Sequence, residues 1–145
     1  MGSYWIENMT TDSPVCIHRT LEGNIQEFVL TEVLRRAVDE LFAGVEIWLS
    51  EATKNNPANL YNPILVDTRL GLQPINYAFI QMRPFVIKYP SIRSVRIAMI
   101  MPPSPMIGTV SMIMRSVTHV RIYRPAEREQ ALVWLRESVE VQLKS

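Results

Sequence analysis

The sequence predicts an α/β domain in which a mixed sheet of four to five strands packs against about four helices. Helical apolar spacing alternates with short strand patterns along most of the chain, which is typical of parallel strands joined by crossover helices. The segment Ser94–Met101 is almost continuously apolar past Arg96, as expected for a strand covered on both faces. An alternating stretch near the start indicates an antiparallel hairpin. The predicted order is β-β-α-β-α-β-α-β-α.

Length and composition are those of one globular domain spanning residues 1–145, because 48% of the residues are hydrophobic and 20% are charged. The formal net charge of +1 is too small to predict binding to nucleic acid or to a membrane surface from overall charge. One cysteine and two histidines predict neither an intrachain disulfide nor a zinc site. No long apolar run occurs. We therefore expect a soluble cytoplasmic protein without an integral membrane segment or a cofactor.

The first elements are predicted to be two antiparallel strands, Tyr4–Met9 and Val15–Leu21, joined by turn-forming residues. From about Gln26 to Thr53, apolar residues recur at spacings of three and four, which predicts a long helix; Thr31 is an alternative N-cap. Gly44 lies inside this helix at a cost of about 1 kcal/mol relative to alanine. A close contact between helix and sheet would explain that glycine.

The central strand of the predicted sheet, Ile64 to Val66, is followed by Asp67, Thr68 and Arg69. In open α/β sheets, ligands bind at the carboxyl ends of the strands, so these three residues are the candidate ligand-binding or switch-point residues. The simpler alternative, which we favour, is a loop in which Asp67 accepts backbone hydrogen bonds and Arg69 faces solvent.

The later elements follow the same plan of helix and strand in alternation. They are predicted to be a helix from Pro74 to about Lys88, the strand Ser94–Met101, a helix from Ser104 to about Ser116, an edge strand Thr118–Tyr123 and a helix from Pro125 through Leu143. Pro84 falls inside the first of these helices, and we expect it to kink the helix or to end it near Arg83.

Five methionines fall in the predicted strand and helix between residues 99 and 114. Methionine fills irregular cores and also lines adaptable binding surfaces, and core filling is the interpretation we favour for most of them. Met112, however, lies off the apolar stripe of its helix. With Pro102, Pro103 and Met106 it is predicted to form an exposed apolar patch. We expect a partner to dock there, either another protein or a second copy of the chain. Docking of a second copy would make a homodimer.

Catalytic signatures are missing from the sequence: it contains no P-loop, dinucleotide fingerprint, metalloprotease motif or nucleophile elbow. His18 and His119 could act as bases or ligands, and Cys16 shares a strand face with His18, but none of them has a companion motif. We therefore predict a protein that is not an enzyme, with no catalytic residue and no metal ligand. The less favoured alternative is a hydrolase or transferase that uses His18 or Asp67.

Two segments resemble STAS domains, the family found in sulfate transporters and anti-sigma-factor antagonists. Ile64–Arg69 resembles the family's apolar strand that ends in aspartate, and Val120–Leu135 resembles the last strand and helix of the bacterial STAS-like (SpoIIAA-like) branch. The element order extends the resemblance over nearly the whole chain. It implies a non-enzymatic regulatory or protein-interaction domain. Because members of this grouping have been compared with CRAL/TRIO lipid carriers, a carrier of a small apolar ligand is the alternative.

One departure from the family pattern concerns phosphorylation. The antagonists that the chain resembles carry a phosphorylatable serine or threonine where the helix after this strand begins. Here no serine occurs between Asp67 and Ser91, and Thr68 follows the aspartate directly. A phosphate acceptor at a helix N-terminus is stabilised by the free backbone N–H groups there, and Thr68 is predicted to lie before that position. The sequence therefore predicts a STAS-like domain that is not regulated by phosphorylation at this point.

Overall fold

The computed structural model describes residues 14–33, 35–55, 61–68, 75–105, 107–117 and 119–144, apart from the side chains of residues 75, 76, 117 and 138–144. The elements in chain order are β1 (Cys16–Leu21), β2 (Ile25–Leu30), α1 (Arg35–Asn55), β3 (Ile64–Asp67), α2 (Ile75–Lys88), β4 (Arg96–Ile100), α3 (Ile107–Val117), β5 (His119–Tyr123) and α4 (Arg128–Lys144). Two 3-10 turns, Pro90–Ser94 and Pro125–Glu127, precede β4 and α4. The predicted fold class and element order are confirmed.

The five strands form one mixed sheet in the order β1-β2-β3-β4-β5. β1 pairs with β2 antiparallel, and each later pair is parallel. Each crossover helix therefore joins two neighbouring strands, and every step across the sheet goes in the same direction. Since such crossovers are right-handed, α1, α2 and α3 lie on one face of the sheet. The prediction that the last strand lies at an edge is confirmed.

One strand of the hairpin, β1, lies within the predicted strand Val15–Leu21, but its partner is not the predicted one. β1 pairs with β2, although residues 25–30 were predicted to open the first helix or to precede it. Gly23 and Asn24 turn the chain with φ angles of 84° and 59°, a region that these two residue types enter readily. β2 is buried on both faces, so its apolar residues show no two-residue alternation to distinguish a strand from a helix. The predicted strand Tyr4–Met9 lies outside the described residues.

Each face of the sheet has its own core. The face toward α1, α2 and α3 carries the side chains of Phe28, Leu30, Ile64, Val66, Ile97, Met99 and Val120. In the described part of the chain, α4 covers the opposite face, where Ile25, Leu65, Ala98 and Ile100 pack against Ala131, Leu132, Trp134 and Leu135. The described elements thus form three layers, with α1, α2 and α3 on one side of the sheet and α4 on the other.

Gly44 brings α1 close to the sheet, as predicted. A Cβ atom built on Gly44 would lie 3.3 Å from Cε1 of Phe28, which is fully buried in β2. The buried stripe of α1 passes on either side of this contact through Leu41 and Val45. The glycine therefore allows a separation between helix and sheet that a larger residue would prevent.

α2 ends at Lys88, as the predicted helix does. Of the two effects expected of Pro84, an end near Arg83 is therefore wrong, and a kink stays a prediction. A regular helix would bond the N–H of residue 84 to the carbonyl of Ile80, and proline has no N–H to donate. Both Pro84 and Ile80 are exposed, so water can bond to that carbonyl instead.

Replacing Gly44 by leucine tests the packing of α1. The added side chain would press on the Phe28 ring, and we expect the free energy of unfolding to fall by about 1–3 kcal/mol, the usual range for overpacking. Gly108→Ala is the matched control, because nothing lies within 4 Å of its added Cβ. That variant should be stabilised by about 0.4–1 kcal/mol. Urea denaturation measures both, and a Gly44→Leu protein as stable as the wild type would contradict the close contact.

Candidate functional site

The residues at the carboxyl end of β3 are buried, and their polar groups contact neighbouring elements of the fold. Asp67 is 2% exposed, and its Oδ2 lies 3.6 Å from Nη1 of Arg128. Thr68 is fully buried, and its N–H and hydroxyl group donate to the carbonyl oxygen of Ile100 at 2.8 and 2.7 Å. Arg69 lies outside the described residues. The Thr68 hydroxyl is thus buried and bonded to the neighbouring strand.

A buried ion network connects this strand end to α4 and to the hairpin. Glu27 in β2 is fully buried, and its two carboxylate oxygens bind Nε of Arg19 and Nη2 of Arg128. Arg128 also approaches Asp67, so it spans two carboxylates on neighbouring strands. The strand register places Glu27 and Asp67 on the same face of the sheet, which is the face that α4 covers.

Charge compensation is what this network achieves. A carboxylate buried without a partner would be strongly destabilising, and here Glu27 pairs with the guanidinium groups of Arg19 and Arg128, while Arg128 also approaches Asp67. Removal of Arg128 would affect both carboxylates at once. We therefore interpret Asp67 as a structural residue that positions α4. The simpler alternative for this strand end had Asp67 accept backbone hydrogen bonds and Arg69 face solvent, and Arg69 lies outside the described residues. Sequence reasoning missed Glu27 and Arg128, because Glu27 was assigned to a helix.

Cys16 is a poor nucleophile in this structure. Burial, and to a smaller extent the charge of Glu40, raise the pKa of its thiol to about 12. The Glu40 carboxylate accepts hydrogen bonds from the backbone N–H groups of Val15 and Cys16 at 2.8 and 3.2 Å. Since the thiolate is the reactive form, the neutral thiol does not suit covalent catalysis.

The two histidines make ring contacts at different places in the sheet. His18 stacks on Phe28 with ring centroids 4.3 Å apart, and its Nε2 lies 2.7 Å from Oε1 of Gln26. His119 meets Trp134 edge-on at 5.6 Å. Within the described ranges, neither histidine is ion-paired with a carboxylate that could orient it as a base.

The predicted interaction residues are spread over two places. Met112 is exposed on α3, as its position off the apolar stripe predicts. Pro102 is half-buried, and Pro103 lines a hollow of about 300 Å³ beside Ile122 and Tyr123 at the end of β5. Met106 lies outside the described residues. The structure thus places Pro103 at the ends of the strands, whereas Met112 lies midway along α3.

Exposed apolar side chains also occur on α2, which sequence reasoning had not considered. We define the α2–α3 surface by Ile80, Ile87, Met112 and Ile113, which are 68%, 69%, 68% and 36% exposed. A groove of about 420 Å³ runs between the two helices. It is lined by Phe79, Met82, Arg83, Val86, Ile87, Arg93 and Ile113.

An apolar cavity of about 80 Å³ lies behind this groove, between α1, α2 and the sheet. Phe79, Met82 and Val86 line both the cavity and the groove, so they form the layer between the two. Met99 and Met114 line the cavity too and are buried, as the core-filling interpretation of the methionines expects.

The α2–α3 surface is also positively charged. Eight Lys and Arg residues and no Asp or Glu occur from Thr68 to Ala126, the segment that contains both helices. Arg83, Arg93 and Arg115 are exposed, and in the described part of the chain none of them pairs with a carboxylate. The sequence contains this local excess of basic residues, but the net charge of the whole chain, +1, does not reveal it.

Comparison with known proteins adds no relative: no protein-family model, curated protein or solved structure matches the chain. The likeness to STAS domains therefore depends on the strand end, the last helix and the element order. Among the described helices, none combines the length and apolar character needed to cross a membrane. The described residues, in helices or elsewhere, include no group of three or more His, Cys, Asp or Glu side chains placed to bind a metal ion.

Arg128→Met tests whether the network holds α4. Methionine keeps much of the apolar stem, so the main loss is the charge shared by Glu27 and Asp67. We expect the free energy of unfolding to fall by about 2–4 kcal/mol, since one of two partners of a buried carboxylate is removed. Arg136→Met, at an exposed position of the same helix, should change it by less than about 0.5 kcal/mol. Equal effects in urea denaturation would contradict a structural role of the network.

The raised pKa of Cys16 predicts a loss of stability at high pH. The unfolded thiol ionises near its ordinary pKa of 9.0 and the folded thiol only near 12. The stability contributed by the neutral thiol is therefore complete below about pH 9 and is lost as the pH rises toward 12. The thermal midpoint of the wild type should fall more steeply between about pH 9 and 11 than that of Cys16→Ala. Parallel curves would show that the thiol ionises equally in both states.

Proposed function

We propose that the chain is a non-enzymatic protein-interaction domain of the STAS-like type, and that it binds its partner through the α2–α3 surface. An apolar groove between two helices carries this proposal: exposed Ile87 and Ile113 line it, and Ile80 and Met112 are exposed on the same two helices. Single exposed apolar residues are ordinary on protein surfaces, but a contiguous group around a groove marks an interaction site.

The state of the possible catalytic groups supports a role in binding. The thiol of Cys16 stays protonated, and Asp67 is buried next to Arg128. His18 is stacked on Phe28. A hydrolase or transferase that used Cys16 or Asp67 would have to ionise a partly buried thiol or disrupt a buried ion pair. His18 is exposed but pairs with no carboxylate in the described residues, so this alternative ranks lower.

The STAS-like part of the proposal depends on the resemblance of the strand end and of the last helix. It includes one difference from the antagonists, because Thr68 is buried and bonded to Ile100. We therefore propose that partner binding is not switched by a phosphate on Thr68. This agrees with the expectation from the sequence, where no serine follows Asp67 before Ser91.

A carrier of a small apolar ligand is the second candidate function, and the cavity behind the α2–α3 groove favours it. Its lining is entirely apolar, which suits a hydrocarbon. Its volume of about 80 Å³, however, is roughly half of the 150 Å³ of an engineered cavity that binds benzene. Without expansion it cannot hold a lipid chain, so we rank this function second.

Photo-crosslinking in cells of the protein's own source tests the interaction surface. A benzophenone amino acid at Ile87 should give an adduct with one discrete protein, and the same residue at Val133, which is exposed on α4, should not. Met112→Glu should abolish the adduct at position 87 because it places a charge on the apolar surface, whereas Val133→Glu should leave it. An adduct of twice the chain mass would identify a homodimer. The interaction function fails if no protein adduct forms at position 87.

A further inference from the structure

We propose that the groove between α2 and α3 binds an acidic amphipathic helix of a partner protein. This inference rests on the proposed function above and gives the chemistry of the partner: a stripe of large apolar side chains with carboxylates on its flanks. Three features of the groove lead to it: its shape, the cavity behind it and its charge.

The shape of the groove suits a helix. The groove lies between two helices, with Phe79, Met82 and Val86 in the layer that separates it from the cavity and with Ile87 and Ile113 on its two sides. Its volume of about 420 Å³ is within the range of about 300–1,000 Å³ that is typical of ligand sites. Apolar side chains at positions i, i+3 or i+4, and i+7 of a helix fill grooves of this kind.

The cavity behind the groove gives an anchor side chain room to go deeper. Met82 separates the two spaces together with Phe79 and Val86, and it is an unbranched residue that changes rotamer easily. Movement of its side chain would join the cavity of about 80 Å³ to the groove. Residues that dominate binding energy fill desolvated pockets of this kind, so one leucine of the partner would be its main anchor.

The charge of the groove selects an acidic partner. Arg83 and Arg93 line the groove itself, Arg115 is exposed on α3, and no acidic residue occurs from Thr68 to Ala126. A guanidinium group binds a carboxylate through two parallel hydrogen bonds, which makes arginine well suited to such contacts. A basic helix with the same apolar stripe would be repelled.

Two other occupants fit the surface less well. A second copy of the chain could offer the exposed face of α1, where Ile47 lies next to the acidic residues Glu46 and Glu51, but Ile47 is one anchor for a groove that has space for several. Glu46 is moreover paired with Lys88 of its own chain. An anionic membrane would meet the protruding side chains, but a lipid surface does not follow a concave groove down to its floor.

Titration of the purified full chain with a labelled helical peptide tests the proposal. The probe has leucines at i, i+3, i+4 and i+7 and glutamates on both flanks, and the control peptide has lysines in place of the glutamates. By fluorescence anisotropy, the chain should bind the glutamate peptide at least about tenfold more tightly. That preference should shrink as salt is added, because the pairs at the rim are exposed to solvent.

Variants of the chain show where the peptide binds. Arg83→Glu combined with Arg93→Glu should weaken binding of the glutamate peptide by about tenfold and strengthen binding of the lysine peptide. Ile87→Ser should weaken binding of both peptides by about fivefold. The matched controls are Arg136→Glu and Val133→Ser, at exposed positions of α4 on the other side of the sheet, and they should change affinity by less than about twofold. Circular dichroism confirms that each variant is folded.

The proposal is overturned if the two peptides bind equally, or if the groove variants bind them as the wild type does. It is also overturned if the chain prefers phosphatidylserine vesicles over phosphatidylcholine vesicles and neither peptide competes. Self-association that Ile47→Glu abolishes would assign the groove to a second copy instead. A crosslink at Ile87 without a preference for the acidic peptide would leave the interaction function standing and reject only this partner chemistry. No crosslink at all would reject the function itself.

Discussion

Every side chain of β3 is buried, and the positions of the helices follow from the need to exclude water from both of its faces. A strand of this kind needs apolar cover on both faces. Three crossover helices provide it on one side, because consecutive right-handed crossovers place α1, α2 and α3 together. The other face depends on the last helix, so the fold is complete only when α4 docks across β3 and β4.

The docking of α4 combines an apolar contact with a polar one. Leu135 and Trp134 supply buried apolar surface, while Arg128 at the start of the helix meets Glu27 and Asp67. The apolar contact is the main stabilising contribution, since a buried ion pair adds little net stability over an apolar replacement. The ion network instead fixes the position of the helix, because any other placement would leave two buried carboxylates without their shared partner.

The same topology explains why an interaction surface arises at α2 and α3. The two helices lie side by side in the outer layer, and each buries only one side against the sheet. Their outer sides carry Ile80, Ile87 and Met112, whereas the exposed face of α1 carries charged residues such as Asp39 and Glu51. The segment from Thr68 to Ala126 contains basic residues and no acidic ones, and Arg83 and Arg93 line the groove. Apolar contact area and charge selectivity thus occur together in one part of the chain.

The sequence by itself determined the class of the fold, the alternation of elements and the edge position of β5, because these follow from periodicities that neighbouring residues create. It also indicated the exposure of Met112 and the close contact at Gly44. It could not separate strand from helix at residues 25–30, since a strand buried on both faces lacks an alternating pattern. Only the tertiary structure decided that Glu27 pairs with Arg128, 101 residues further along the chain, and that Ile87 and Ile113 border one groove. Such contacts depend on which distant segments of the chain meet in space. The spacing of apolar and polar residues along the sequence does not show this.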